Sequence, residues 1–320
     1  MYHQPVMSRE VLEFLRPVSG VIVDACLGGG GHARAILDAF DASSEGTNGR
    51  PRCAGEDKPA IYAGNQPVGS DRWARGLLGI DCDAEAIASA RGQLSGFRNV
   101  EIVHANYADL PALVRGLGLG PVTGVLFDFG ASLSQFTSGH RGFAIDSDGP
   151  IDMRFDQTAK VPTALDWIRR SSELTLRDWF RAFGQEPMSG RVARVIHERR
   201  NELRTTGDLV RAVRDAVPAR FARKALARVF QALRIVTNNE IENIRRGLAG
   251  ALEVLAPAGR LVALSYHSLE DKEVKQFMRA GRTAGRLHVL TPKPVRPSAA
   301  EVAENPRSRS ARLRAAEVLS

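Results

Sequence analysis

Short apolar runs alternate with amphipathic stretches along the first part of the chain. Val21-Ile22-Val23-Asp24 is too short for a helix and predicts a buried strand, followed by a turn over Cys26–Gly31 and a helix from about His32 to Phe40. A second strand, Gly76–Asp81, leads into a helix over 84–94, a third strand is Val100–His104, and a fourth is Val122–Phe127, ending at Asp128. Strands that alternate with helices predict a parallel α/β sheet. Residues 41–72 break the pattern: they are polar, rich in Gly, Pro and Ser, and without apolar periodicity, which predicts a long irregular surface insertion.

The alternation stops near Ser134. From Thr163 to Arg228 the pattern is helical, with Thr163-x-x-Asp166 and Thr175-x-x-Asp178 spaced as capping boxes and Pro218 closing a helix that starts near Asp208. Val229, Leu233, Val236, Ile244, Leu248, Leu252 and Leu255 mark one face of a single long helix. Ala256–Gly259 stops it, and Arg260–Ser265 is another buried strand, so the α/β pattern resumes. The expected organisation is an α/β core in two parts, 1–135 and 229–320, with a helical substrate domain, 136–228, inserted between them. The tail Pro292–Arg314, rich in Pro and Arg, is expected to be irregular.

Composition narrows the class. The chain has 320 residues, 43% hydrophobic and 25% charged, which fits a globular protein of two domains and excludes wholesale disorder. No apolar run approaches the ~18 residues of a membrane span, and the first ten residues lack an apolar signal core. The three cysteines form no CxxC pair, which argues against a disulfide framework or zinc site and for the cytoplasm. Asp146, Asp148 and Asp152 lack the spacing of a calcium loop, so no metal is expected. Lys and Arg exceed Asp and Glu by eight. Between Leu165 and Ile235 there are 16 basic and 8 acidic residues, so the whole surplus sits in the helical segment. Such localised charge is the footprint of a polyanion-binding surface, with arginine-rich solvated helix faces as the alternative.

Asp24-x-x-x-Gly28-Gly29-Gly30-Gly31 follows the first strand and opens a helix, where glycines allow close backbone approach and unpaired N–H groups face a ligand. Gly28-x-Gly30-x-x-Ala33 also satisfies the dinucleotide fingerprint. Asp24, however, precedes the glycines at the strand end, where it would repel a pyrophosphate and suit a cation. Asp81 ends the second strand, where ribose hydroxyls are held in sheets of this kind. A ligand with a ribose, positive charge and no phosphate points to S-adenosyl-L-methionine; a tight turn without a ligand is the alternative. Asp128-Phe129-Gly130-Ala131-Ser132 lies at the end of the fourth strand. A carboxylate there suits the N–H groups of an exocyclic amine that must attack in line, with proximity supplying most of the acceleration. The alternative for Asp128 is a helix N-cap.

Val23–His32, Gly79–Asp83, Arg141–Phe143, Asp148–Arg154, Phe230–Ile235, Asn238–Glu240, Ser265–Asp271 and Ala303–Ser310 follow one another in an order that resembles the ribosomal RNA small subunit methyltransferase H family, also called MraW. The resemblance runs from His3 to the C-terminus outside 41–72. It implies a class I Rossmann-like methyltransferase sheet with an inserted all-helical domain, and N4-methylation of one cytidine in the decoding region of small-subunit (16S) rRNA. By motif it places cofactor contacts on Gly30, Gly31, His32, Asp81, Tyr107, Asp128 and Gln135. Asp128 is the catalytic candidate. Asp152, Arg154, Tyr266, His267 and Ser268 are candidates for binding the target: the first two as organisers of a covering loop, the others through stacking and hydrogen bonding to a base. The chain departs from the family in Ala131-Ser-Leu-Ser-Gln135, which lacks a serine and a proline, and in Phe183-Gly-Gln-Glu186. Two other classes remain open: an RNA-binding assembly factor with a methyltransferase-like fold, and a nicotinamide dehydrogenase, which lacks an evident hydride-transfer His/Arg set.

Overall fold

The computed structural model describes residues 5–17, 19–44 and 73–320. In chain order the elements are α1 (Ser8–Leu15), β1 (Gly20–Asp24), α2 (Gly31–Ser44), β2 (Arg75–Asp81), α3 (Ala84–Gln93), β3 (Val100–His104), α4 (Leu110–Gly116), β4 (Val122–Asp128) and α5 (Leu133–Thr137). Five helices follow: α6 (Ala164–Arg170), α7 (Glu173–Ala182), α8 (Ser189–Arg199), α9 (Thr206–Ala216) and α10 (Ala219–Asn238). The chain then closes with α11 (Glu240–Val254), β5 (Leu255–Ser265), α12 (Ser268–Thr283), β6 (Leu287–Val289), α13 (Ala299–Glu304) and β7 (Arg312–Val318).

The seven strands form one sheet in the order β3-β2-β1-β4-β5-β7-β6. Strands β1 to β5 pair in parallel, and β7 is antiparallel to both β5 and β6. The apolar runs of the sequence become strands buried on both faces. Along β1, Val21 and Val23 join a core built with α4, α11 and α12, while Ile22 faces a core built with α1, α2 and α3. The order reverses between β1 and β4, which sets a crevice at the carboxyl ends of those strands, where open α/β sheets bind ligands.

A third core belongs to the helices α6–α10 and the loop that leads into them, from Phe143 to Leu233. Helix α10 carries the chain from this core back toward the sheet, so a division drawn at residue 228 falls inside one helix.

Several elements differ from the sequence expectation. The predicted insertion 41–72 lies outside the described residues from 45 on, but 41–44 continue α2. The single long helix over 229–255 is two helices, because Asn239 adopts a left-handed conformation, φ 50°, between α10 and α11. Asn tolerates that region better than other residues with a Cβ. Thr163 and Asp166 do form a capping box, whereas α7 starts earlier than expected, with Ser172 as its cap and Thr175 inside. The tail is not irregular: it holds α13, a 3-10 turn over Pro306–Ser310, and β7. Arg312 and Arg314 interrupt the apolar alternation of β7, but both pair with Asp271 at 3.5 and 2.7 Å.

Candidate functional site

A crevice of about 1600 Å³ opens over the carboxyl ends of β1, β2 and β4. The turn after β1 forms one wall. Gly30 has φ 87°, a left-handed conformation that side chains with a Cβ rarely adopt, so glycine suits the turn where it packs on α3. Its N–H is donated to the Leu27 carbonyl at 2.9 Å, and it shapes the turn without lining the crevice. Gly31 and His32 do line it, at the first turn of α2, where helical N–H groups have no intrahelical acceptor.

Asp81 ends β2 and faces the crevice. One of its oxygens accepts from the Gly28 N–H at 2.7 Å and the other from the Asp83 N–H at 2.8 Å. Burial raises its pKa against those two donations. Tyr107 follows β3 and lies edge-on to Phe127 and Phe129, with centroids at 5.5 and 5.9 Å, leaving part of its ring on the crevice wall.

Asp128 ends β4 and is not a helix cap; Ser132 caps α5 in a capping box with Gln135. Its Oδ1 accepts from the Tyr266 hydroxyl at 2.7 Å, and its Oδ2 stands 3.5 Å from His32 Nε2. Burial, with Asp128 alongside, pushes the Tyr266 phenol well above its ordinary pKa, so it remains a donor. Burial alone would lower His32, but Asp128 and Asp24 beside it hold it above its usual value. Gly130, at φ 102°, lets the chain turn past Tyr266 and Glu270.

Asp24 differs from the expectation. It is fully buried beneath the turn and does not face the crevice. Desolvation raises its carboxyl from 3.8 to about 7. The neutral acid is therefore the form that folding favours: its contribution to stability is complete below pH about 3.8 and is lost as pH rises through about 7. Asp24→Asn keeps an oxygen for the Cys26 N–H. It should flatten the fall in stability between about pH 4 and 7, read from urea midpoints; an unchanged fall would remove Asp24 as its source.

Gln135 is buried, with its amide nitrogen on Asp83 at 2.6 Å and its oxygen on the Ser132 N–H at 2.9 Å. Those bonds hold the 131–135 loop without the family's proline. Asp152 and Arg154 pair bidentately at 2.8 and 2.9 Å, and neither lines the crevice. Tyr266 and His267 do line it, whereas Ser268 lies outside, donating to Gln185 at 3.3 Å. His267 caps α12.

Four charged side chains at this site, Arg141, Arg234, Glu240 and Glu270, have no role assigned from sequence. Arg141 is 1% exposed and pairs with Asp83 at 2.8 Å and Glu85 at 3.1 Å. Arg234 grips Glu240 bidentately at 2.8 and 2.9 Å on the crevice floor and stands 3.7 Å from Glu270. Burial would raise Glu270, but His267 and Arg234 beside it win and hold it below the usual range. Glu240, His267 and Glu270 converge closely enough to ligate a metal ion, but the guanidinium of Arg234 already stands against both carboxylates. All four charged residues stand inside the motifs quoted above; an arginine amid apolar residues, as in Phe230-Gln-Ala-Leu-Arg234-Ile, is the signal that marks such a site.

The parallel five-strand sheet, completed by an antiparallel strand between β5 and β6 and open at the β1/β4 switch, defines a class I, Rossmann-like methyltransferase. The sequence model described as the MraW methylase family matches residues 70–319, and the chain belongs to that family. It is 39% identical to the ribosomal RNA small subunit methyltransferase H of Thermomicrobium roseum, over 98% of this chain and 93% of that one. It is 40% identical to the protein of that name from Thermotoga neapolitana, over 99% and 96%, and 38% identical to the one from Pseudothermotoga lettingae, over 98% of each. The methyl donor is S-adenosylmethionine, and the crevice fits it: a glycine turn at a helix start, a carboxylate at the end of β2, an aromatic wall at Tyr107, and no phosphate-binding cation on the turn. Among the described residues no helix is long and apolar enough to cross a membrane.

Proposed function

We propose that the protein methylates the N4 amine of a cytidine in the decoding region of small-subunit (16S) rRNA. The names of the relatives support rRNA of the small subunit as substrate. Asp128 carries the choice of an exocyclic nitrogen. It lines the crevice, oriented by Tyr266 and His32, and offers a carboxylate to the amine N–H groups. Methylation at a ring carbon would instead call for a nucleophile that adds to the base, and a thiolate is the usual one. Cys26 and Cys82 line the same crevice, but burial, together with Asp81, pushes both thiols well above their ordinary pKa. Among the described residues there is thus a placed acceptor and no activated thiol.

When bound, S-adenosylmethionine supplies a sulfonium methyl whose C–S electron pair returns to sulfur as the N–C bond forms. The chain's residues bind and orient. The N–H groups of Gly31 and His32 suit the methionine carboxylate, with Gly30 shaping their turn, Asp81 the ribose hydroxyls, and Tyr107 the adenine face. Gln135 acts by fixing the loop next to the methyl position. Asp128 accepts from the amine and aligns its lone pair, and the one proton the amine sheds in the course of transfer passes to solvent. Tyr266 and His267 stand where the target base would enter, whereas Asp152 and Arg154 act by ordering the loop behind it. The helical segment 136–228 would serve as substrate domain. Arg191, Arg220 and Arg223 there are exposed with no carboxylate within 4 Å among the described residues, whereas Arg199 is spent on Asp215 at 2.6 Å.

Purified protein with unmethylated small subunits and methyl-labelled S-adenosylmethionine should place label in the RNA; label confined to protein, or none, would overturn the reading. Asp81→Ala should weaken S-adenosylmethionine binding about 10- to 100-fold, the equivalent of roughly 1.5–3 kcal/mol of charge-assisted hydrogen bonding. Calorimetry checks this, and unchanged affinity would remove Asp81 from the ribose.

A further inference from the structure

The crevice is larger than a cofactor requires. Its volume of about 1600 Å³ exceeds the roughly 300–1,000 Å³ typical of small-molecule sites. Helix α5 and the 3-10 turn Pro306–Ser310 both contribute to its lining. On α5, the Phe136 ring is 38% exposed and lies edge-on to Phe143 at 6.3 Å, which stacks on Phe155 at 5.7 Å. The Arg307 guanidinium carbon lies 6.0 Å from the Phe136 ring centroid. Arg307 and Arg309 both line the crevice, both are exposed, and neither has a carboxylate within 4 Å among the described residues.

These cations stand on a fixed backbone. Ser308 between them is fully buried, with its hydroxyl on the Asn305 carbonyl at 2.8 Å. The Ala311 N–H donates to the Ser308 carbonyl at 2.7 Å, and β7 begins at the next residue. Upstream, Glu301 of α13 accepts from the Met7 N–H at 2.6 Å. The turn is thus anchored on both sides, and it presents Arg307 and Arg309 to the crevice beside the uncharged Pro306 and Ser310.

We infer that this lip is a subsite for single-stranded RNA next to the target nucleotide: Arg307 and Arg309 take a backbone phosphate, and a neighbouring base stacks on Phe136. An exposed ring beside unpaired guanidinium groups is the pairing that single-strand binders use, because every base has a π-face. A duplex would satisfy the arginines and leave Phe136 without a partner. The inference rests on the RNA substrate proposed above, and names the part of the crevice that receives it.

The test uses the full chain and a short fluorescein-labelled single-stranded RNA, with its duplex as comparison. Wild type should prefer the single strand. Phe136→Leu should weaken binding of the single strand roughly tenfold with little effect on its salt dependence. R307Q/R309Q should make the log–log salt slope shallower by about 0.7, the contribution of one single-strand phosphate. Both variants should bind S-adenosylmethionine as wild type does. Unchanged RNA affinity and salt slope in both variants would overturn the inference. So would loss of S-adenosylmethionine affinity in R307Q/R309Q, which would assign the arginines to the cofactor's carboxylate. Because binding is read without methyl transfer, a wild type that binds the strand through these residues but puts no label in RNA would sink the proposed function and leave this site standing.

Discussion

Asp128→Asn is expected to lower the single-turnover rate of methyl transfer by about 10²-fold or more, the range found when a positioned acid–base group is lost. Affinity for S-adenosylmethionine should change by no more than a few-fold. Asparagine retains one oxygen for the Tyr266 hydroxyl, now at 2.7 Å from Asp128, so the loop should keep its place. It also presents an NH₂ group in place of an acceptor, and a target amine then meets donor against donor. The comparison of rate with affinity separates the two roles available to this carboxylate. Equal losses in both would make Asp128 a cofactor contact alone, and no loss in either would remove it from the site.

Arg141→Met is expected to destabilise the protein by about 3–5 kcal/mol, because removing one partner of a buried ion pair leaves the other charge uncompensated. Arg141 and Asp83 expose only 1% and 4% of their side chains. The guanidinium also donates to the carbonyls of Arg154 and Phe155, at 3.2 and 2.8 Å, so it ties the start of α3 to the loop that precedes the helical core. Asp83 meanwhile caps α3 and holds Gln135. Adding Asp83→Asn should restore part of the loss, since asparagine can still cap the helix and removes the stranded charge. Urea unfolding of the two variants measures both effects; a loss below about 1 kcal/mol in Arg141→Met would mean that water reaches Asp83.

The strands at the centre of the sheet were legible because burial on both faces demands apolar runs, as at Val21–Val23 and Val125–Phe127. The same rule hid β7, whose Arg312 and Arg314 find their carboxylate, Asp271, some forty residues away in sequence. The break at Asn239 was hidden because the apolar face continues across it from Ile235 to Ile244, and only the backbone reverses hand. At the site, the glycine turn, Asp81 and Asp128 stand out by their places after strands, and Tyr107 only by the family resemblance; all of them border the crevice. Asp24 was not readable in this way, since a strand-end position is the same in sequence whether the carboxyl faces a crevice or lies beneath a turn. Arg141, Arg234 and Glu240 were opaque for a related reason: charge in a sequence suggests exposure, and their burial depends on partners brought together by the fold.

The most direct test of the account is the chemistry of its product. Unmethylated small subunits are incubated with the protein and labelled S-adenosylmethionine, the RNA is digested to nucleosides, and the labelled nucleoside is identified by mass spectrometry against methylcytidine standards. The account predicts label in N4-methylcytidine at one position of the decoding region. Label in a nucleoside methylated on ring carbon or ribose would contradict it.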